Sequence, residues 1–346
     1  MKMHFLTLTG VGAALLSSGV AFADFEAPPR QVTIDARILE IPEQRPWDAS
    51  VRLFYGKDSN VALVPEFSVY NGDKSSHFFG ATLNAEYRVL QTTDWTAGAS
   101  LVVDRVEYSE GKGASQTDSP DEYNLNTFTP TVFVKRRLSI AGMPTQLSAS
   151  YGRRKERLEL SGLDSTTSLL NFGIQLKPHS NLVLGLNLDR ANSNFKESRL
   201  APLLDSRDGH YKSYALSAKY FSNDKQRNIA LTYRNGENNT DGSNFEYNFH
   251  SWGVRAETHV TGPFWLAAGY YMEDRSYHNG FTAGFVPSPG RTQQDTNELE
   301  IQILWQISND IVADFFYTDV EYDPNSGQPI FEIDREILGF GVTYNF

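Results

Sequence analysis

The stretch "FFGATLNAEYRV", residues 78–89, alternates without a break. Phe79, Ala81, Leu83, Ala85, Tyr87 and Val89 fall on one side of an extended chain. Gly80, Thr82, Asn84, Glu86 and Arg88 fall on the other. A period of two marks a β-strand with two unlike faces. In a soluble sandwich the apolar face would meet a second sheet. In a barrel immersed in lipid it faces outward, and the polar face lines the lumen.

The same grammar recurs along the chain. Alternating stretches lie near 48–57, 78–89, 96–106, 126–138, 145–155, 167–178 and 182–190. Others lie near 211–221, 227–235, 246–260, 265–276, 297–307, 311–321 and 331–346. That predicts fourteen strands in an all-β, antiparallel, up-and-down transmembrane barrel. Strands of about ten residues, tilted by about 40°, cover the apolar band of roughly 25 Å.

The connections support this reading. Short ones such as "QTTD" (91–94), "PHSN" (178–181) and "TGP" (261–263) alternate with long ones such as 109–124, 190–210 and 276–295. Short periplasmic turns and long extracellular loops are the asymmetry of such barrels. Trp95, Tyr220, Phe221, Phe264, Trp265 and Trp305 cluster by the short turns. Tyr123, Tyr211, Phe249 and Tyr322 lie by the long loops. They are expected to form two aromatic girdles.

Composition narrows the classes. Aromatics make up 13% of the 346 residues, cysteine is absent and the net charge is −11. With no cysteine, disulfides contribute nothing to stability. The acidic balance argues against nucleic acid as a partner. After the first residues no apolar run is long enough for a membrane helix. Lys2, the apolar stretch Phe5–Leu16 and Ala21-Phe22-Ala23 read as a signal peptide over 1–23. Residues 24–47 are then a periplasmic lead-in, and 48–346 the barrel.

Parity assigns a set of charged residues to the lumen: Arg52, Glu86, Arg88, Asp104, Lys135, Arg154, Glu257, Glu273, Glu298, Glu300, Asp314 and Arg335. Cations gather on the first, second, fourth, fifth and last strands, and acids on the tenth to thirteenth. Signs on opposite walls would set a field across the pore. Pairing between neighbouring strands would instead cancel it. Fourteen strands lie between filled eight-stranded barrels and open sixteen-stranded ones, so a narrow channel is expected. The long loops at 190–210 and 276–295 are candidates for folding into it.

Catalytic and cofactor chemistry finds no footing. No Gly-x-Ser-x-Gly, zinc-ligand spacing or phosphate loop occurs. His250 and Ser251 are adjacent on a strand, so they face opposite sides and cannot form a pair.

Two stretches carry resemblances. "ILGFGVTYNF" (337–346) alternates to a final Tyr344-x-Phe346. It resembles the last strand of bacterial outer-membrane β-barrels. That implies a place in the cell outer membrane, among its lipids and lipopolysaccharide, and recognition by the barrel-assembly machinery. "YGKDSNVALVPE" (55–66) resembles the first barrel strand of surface lipoprotein assembly modifiers through Asp58, Ser59, Asn60 and Val61. That implies translocation of a lipoprotein or polysaccharide with a periplasmic partner. The residues themselves point to a porin-like channel for small polar solutes, with translocation as the alternative.

Overall fold

Every alternating stretch of the sequence is a strand. The computed structural model describes residues 45–61, 75–109, 120–158, 164–196, 206–242, 246–281, 291–323 and 333–346. The signal peptide at 1–23, most of the lead-in at 24–47 and the middles of the loops at 190–210 and 276–295 lie outside them. The strands are β1 (Trp47–Asp58), β2 (Ser76–Gln91), β3 (Trp95–Tyr108), β4 (Leu125–Ile140), β5 (Met143–Leu158), β6 (Ser165–His179) and β7 (Leu182–Phe195). They continue as β8 (Gly209–Phe221), β9 (Arg227–Thr240), β10 (Tyr247–Thr261), β11 (Phe264–Phe281), β12 (Arg291–Gln306), β13 (Ile311–Asp323) and β14 (Ile333–Asn345). A 3-10 turn, Pro120–Tyr123, precedes β4.

Each strand pairs antiparallel with its neighbours in sequence, and β1 pairs with β14. The sheet therefore closes and leaves no unpaired edge, as a strand structure in lipid requires. At the closure Val51 stands opposite Tyr344 and Leu53 opposite Val342. The last residue joins in, with the Phe346 amide donating to the Ala49 carbonyl.

Burial is inverted relative to a soluble protein. Leu231 and Val132 are 55% and 57% exposed, whereas Arg52 and Asp314 are 2% and 1% exposed. Across the middle of the barrel wall, apolar side chains face out and charged ones face in. Water would not tolerate the exterior, and lipid would.

The turns at one rim are tight. β4 and β5 are joined by Ala141 and Gly142, with φ of 49° and 79°. Two positive-φ residues form the hairpin turn whose twist matches that of the flanking strands, and glycine suits the second position. Between β8 and β9 the Ser222 hydroxyl and the Gln226 amide donate to Asp224. The Ser222 bond foremost holds that carboxyl below its ordinary range.

The aromatic girdles need correcting. Trp95, Tyr220, Phe264 and Trp305 are exposed at the short-turn rim, as expected. Trp265 and Phe221 instead take the inward parity, and Phe221 packs on Val183. At the other rim Tyr123, Tyr211, Phe249 and Tyr322 are all buried. Tyr211 shares its face with Ser213, while Tyr214 and Leu216 face out. Closeness to a loop does not place a ring in lipid; parity does. The outward rings at that level include Tyr55, Phe79, Phe128 and Trp252.

Inside the barrel, aromatic rings lie opposite glycines. Phe54 faces Gly80 and Phe78 faces Gly56. Phe133 faces Gly98, Phe249 faces Gly236, Tyr271 faces Gly253 and Phe316 faces Gly339. Each ring occupies the space a Cβ would take on its partner. At Gly253 a Cβ would stand 2.6 Å from the Tyr271 ring. The rings therefore lie along the wall rather than across the lumen. Gly253→Val forces Tyr271 off the wall at a cost of about 1–3 kcal/mol. We expect a lower urea midpoint and a smaller channel conductance. Both should recover when Tyr271→Ala is added, and a fall in stability that persists in the double variant would count against the ring displacement.

Candidate functional site in the barrel lumen

The inward residues of β13, β14, β1, β2 and β3 form a packed cluster at the closure. Arg52 donates to Asp314 through Nε at 3.2 Å and Nη2 at 2.5 Å. Its guanidinium lies 5.1 Å from the ring centres of both Phe54 and Phe316. Between β1 and β13 stands Gly341, whose missing side chain lets the pair meet. A Cβ there would be 2.7 Å from Arg52 Nε and 2.8 Å from Asp314 Oδ1.

One turn of the wall higher, Arg335 donates to Asp58 through Nε at 3.1 Å and Nη2 at 2.5 Å. The Tyr108 hydroxyl donates to the same carboxylate at 3.3 Å, and the Asn60 amide at 3.0 Å. The chain bends inward here. Val61, 1% exposed, packs among Phe54, Phe78 and Tyr108. The residues Asp58, Ser59, Asn60 and Val61, which resembled a family signature, thus hold the closure. Ser59 exchanges hydrogen bonds with Glu336 of β14.

Between β9 and β12 lies a second network. Arg255 donates to Glu300 at 2.9 Å, to Glu257 at 3.2 Å and to Gln302 at 3.3 Å. Asn228 donates to Glu257 at 2.8 Å. Glu273 accepts from Arg275 at 2.7 Å. Beside this network is a recess of about 20 Å³, lined by Thr232, Arg234, Ser251, Tyr271, Glu273 and Glu298. It has room for about one water molecule.

The remaining sequence-assigned residues sit apart from both networks. Arg88 bridges Glu86 and Asp48, where β2 bulges against β3. Asp104 accepts from the Thr82 hydroxyl at 2.8 Å. Lys135 lies 5.3 Å from the Phe133 ring centre, and Arg154 stands 3.3 Å from Glu156. Tyr344 and Phe346 are exposed at the short-turn rim with their rings 4.7 Å apart, edge to face.

The signs are not separated onto opposite walls. β10–β13 and the cation-bearing strands adjoin through β14, and the charges pair across it, Arg52 with Asp314. Closure makes neighbours of residues from the two ends of the chain, which a strand-by-strand reading of charge leaves out. Acids also stand on the cation side, at Asp104 and Glu156, and cations on the acid side, at Arg255 and Arg275.

On the facing wall, β4 to β7, the charged residues Lys135, Arg154, Glu156 and Asp189 flank a neutral band at mid-height. Thr129, Thr131, Ser148, Ser150, Asn171 and Asn187 are small, neutral and half-buried. Asn171 donates to Asp189 at 2.6 Å. Toward the long-loop rim the lining becomes aromatic and apolar. Phe78, Tyr108, Leu125 and Leu158 line one arc, and Tyr211, Tyr247, Phe249 and Tyr277 another. His250 faces lipid and Ser251 the lumen, so the two do not meet. Among the described residues no cluster of His, Cys, Asp and Glu is set to hold a metal.

A closed sheet of fourteen strands, apolar without and polar within, admits one environment. The chain has the fold of a membrane-spanning β-barrel. No protein-family model matches the sequence, and no curated protein matches it. Solved structures do. OmpT of Vibrio cholerae is 11% identical with a TM-score of 0.49, over 89% of this chain and 100% of that one. A Pseudomonas aeruginosa FadL homologue is 11% identical with a TM-score of 0.46, over 86% and 90%. The TodX monoaromatic hydrocarbon channel is 10% identical with a TM-score of 0.46, over 86% and 89%.

The sequence missed what lies between the assigned charges. Asp58, Phe54 and Phe316 sit on the inward parity of their strands. An aromatic on the polar parity, opposite an inward glycine, is the signal that would have found the rings.

Proposed function

We propose that this barrel is a passive channel for small polar solutes. The observation that carries the reading is the pairing of unlike walls. A mid-height band of hydroxyl and amide side chains on β4 to β7, flanked by Lys135 and the Arg154–Glu156 pair, faces a wall of ion pairs on β10 to β14. A polar solute would keep hydrogen-bond partners along such a path. The translocation reading has weaker support, since the residues that resembled that family are engaged in holding the closure. Tyr344 and Phe346, exposed at the rim, are proposed as the signal for barrel assembly.

Planar-bilayer recording of the purified protein tests the channel. Stepwise conductance with weak ion selectivity is expected, because the lumen charges are largely paired. Silence would overturn the reading. The double variant Glu298→Gln/Glu300→Gln is expected to move selectivity toward anions. A charge about 8 Å from the ion path contributes about 0.5 kcal/mol in water, or roughly twofold in ion occupancy. Each charge favours cations and disfavours anions by that factor, so removing two lowers the cation-to-anion permeability ratio by roughly sixteenfold. An unchanged reversal potential would remove β12 from the conducting path.

A further inference from the structure

The exterior above the apolar belt carries charge, and its sign depends on the face. On β5 the outward row runs Leu147, Ala149 and Tyr151, and then Arg153, Lys155 and Arg157. On β7 it runs through Leu184, Leu186 and Leu188 and then reaches Arg190. The change from apolar to cationic takes one outward step. All four cations are exposed, and none has an ion-pair partner among the described residues. Neighbouring cations on this face are paired, Lys212 with Glu237 and Lys196 with Asp164.

Between the cations lie neutral donors and acceptors. Ser168 stands opposite Arg153, and Thr166 opposite Lys155. Asn192 and Asn194 are next to them on β7. Across the barrel the same level is acidic. Asp295 stands between Asp274 and Asp323, and Glu336 is opposite Asp319. The cationic patch is therefore a property of one face rather than of the whole rim.

We propose that the outward face of β5 to β7 binds the phosphorylated sugar headgroup of an outer-leaflet glycolipid. Position selects a lipid. The patch continues directly from the lipid-facing rows of its strands, at headgroup height on the long-loop side. Chemistry selects a phosphorylated sugar. Guanidinium and ammonium groups repeat about 7 Å apart along β5, as alternate residues of a strand do. They suit phosphate oxygens, Arg bidentately and Lys as a point charge. The hydroxyl and amide side chains between them suit sugar hydroxyls. The occupant is thus one amphiphile, with its chains on the apolar rows and its headgroup on the cations.

The test uses the purified full-length barrel in detergent, loaded with lipid A carrying two phosphates. Lipid retained per barrel is measured after washing at physiological salt. Each cation near an anionic lipid surface contributes roughly fivefold to binding, so Arg153→Gln/Lys155→Gln/Arg157→Gln/Arg190→Gln should retain at least about tenfold less. High salt should release the lipid from the unsubstituted protein. Asp319→Asn/Glu321→Gln on the acidic face should retain it fully. If the quadruple variant does not fold, as read by its strand circular dichroism, Arg157→Gln and Lys155→Gln alone should each show a partial loss. Equal retention by the quadruple variant would overturn the proposal. So would equal retention of dephosphorylated lipid A. So would a lipid-free association of barrels that the quadruple variant abolishes, which would make a second copy the occupant.

Discussion

Asp314→Ala should lower the stability of the barrel by about 3–5 kcal/mol, the usual cost of removing one partner of a buried ion pair. Without Asp314 the Arg52 guanidinium loses the carboxylate that takes both its Nε and Nη2 bonds. It is held between Phe54 and Phe316 over Gly341, with no room to turn toward water. Gln302, which also donates to Asp314 at 3.3 Å, loses its acceptor. The penalty is that of the stranded cation rather than the worth of the pair. Replacing both partners, as Arg52→Leu/Asp314→Leu, should recover most of the loss, since an apolar pair of similar volume often does as well. Urea unfolding of the refolded barrel measures both. A single variant within 1 kcal/mol of the unsubstituted protein would show that water reaches Arg52.

Asp58→Ala should cost a similar amount, about 3–5 kcal/mol, for a different reason. Asp58 gathers Arg335, Tyr108 and the Asn60 amide. These come from β14, from β3 and from the bend that carries Val61 inward. The substitution strands Arg335, which is 2% exposed, and frees the bend as well. Asp58→Asn keeps the shape but not the charge, and should fall between the two. Hydrogen exchange separates the contributions. In Asp58→Ala the amides of β1 and β14 should lose protection first, because the anchor joins those strands at their closure. Loss spread evenly over all strands would mean that Asp58 acts on the fold as a whole.

The strands were legible in the sequence because lipid and lumen impose opposite chemistry on alternate residues. "LVLGLNLD" on β7 writes its two faces letter by letter. The closure was legible too, since a barrel in lipid cannot leave β1 unpaired, and β14 is the only strand left. The rings at the long-loop rim are not placed by nearness to a loop, because parity along the strand decides which way each one faces. Tyr211 and Tyr214 are three residues apart and face opposite ways. Partner choice was not legible. Arg52 and Asp314 are 262 positions apart, and their meeting depends on the register of two strand pairs and on a glycine between them. The role of Asp58 to Val61 was hidden for a related reason. Asp, Ser and Asn serve equally in a solvated turn, and only Arg335, far along the chain, makes Asp58 an anchor.

The rings laid against glycines have an electrical consequence. A radial side chain that hops between rotamers opens and narrows a conduit, and the hopping appears as flicker in the current. Here the six rings occupy the hollows left by their glycine partners. Their positions are set by the hydrogen-bonded main chain of the glycine strands, which has no rotamers. If the barrel conducts as proposed, its current should be quiet, because these rings have no second position from which to narrow the bore.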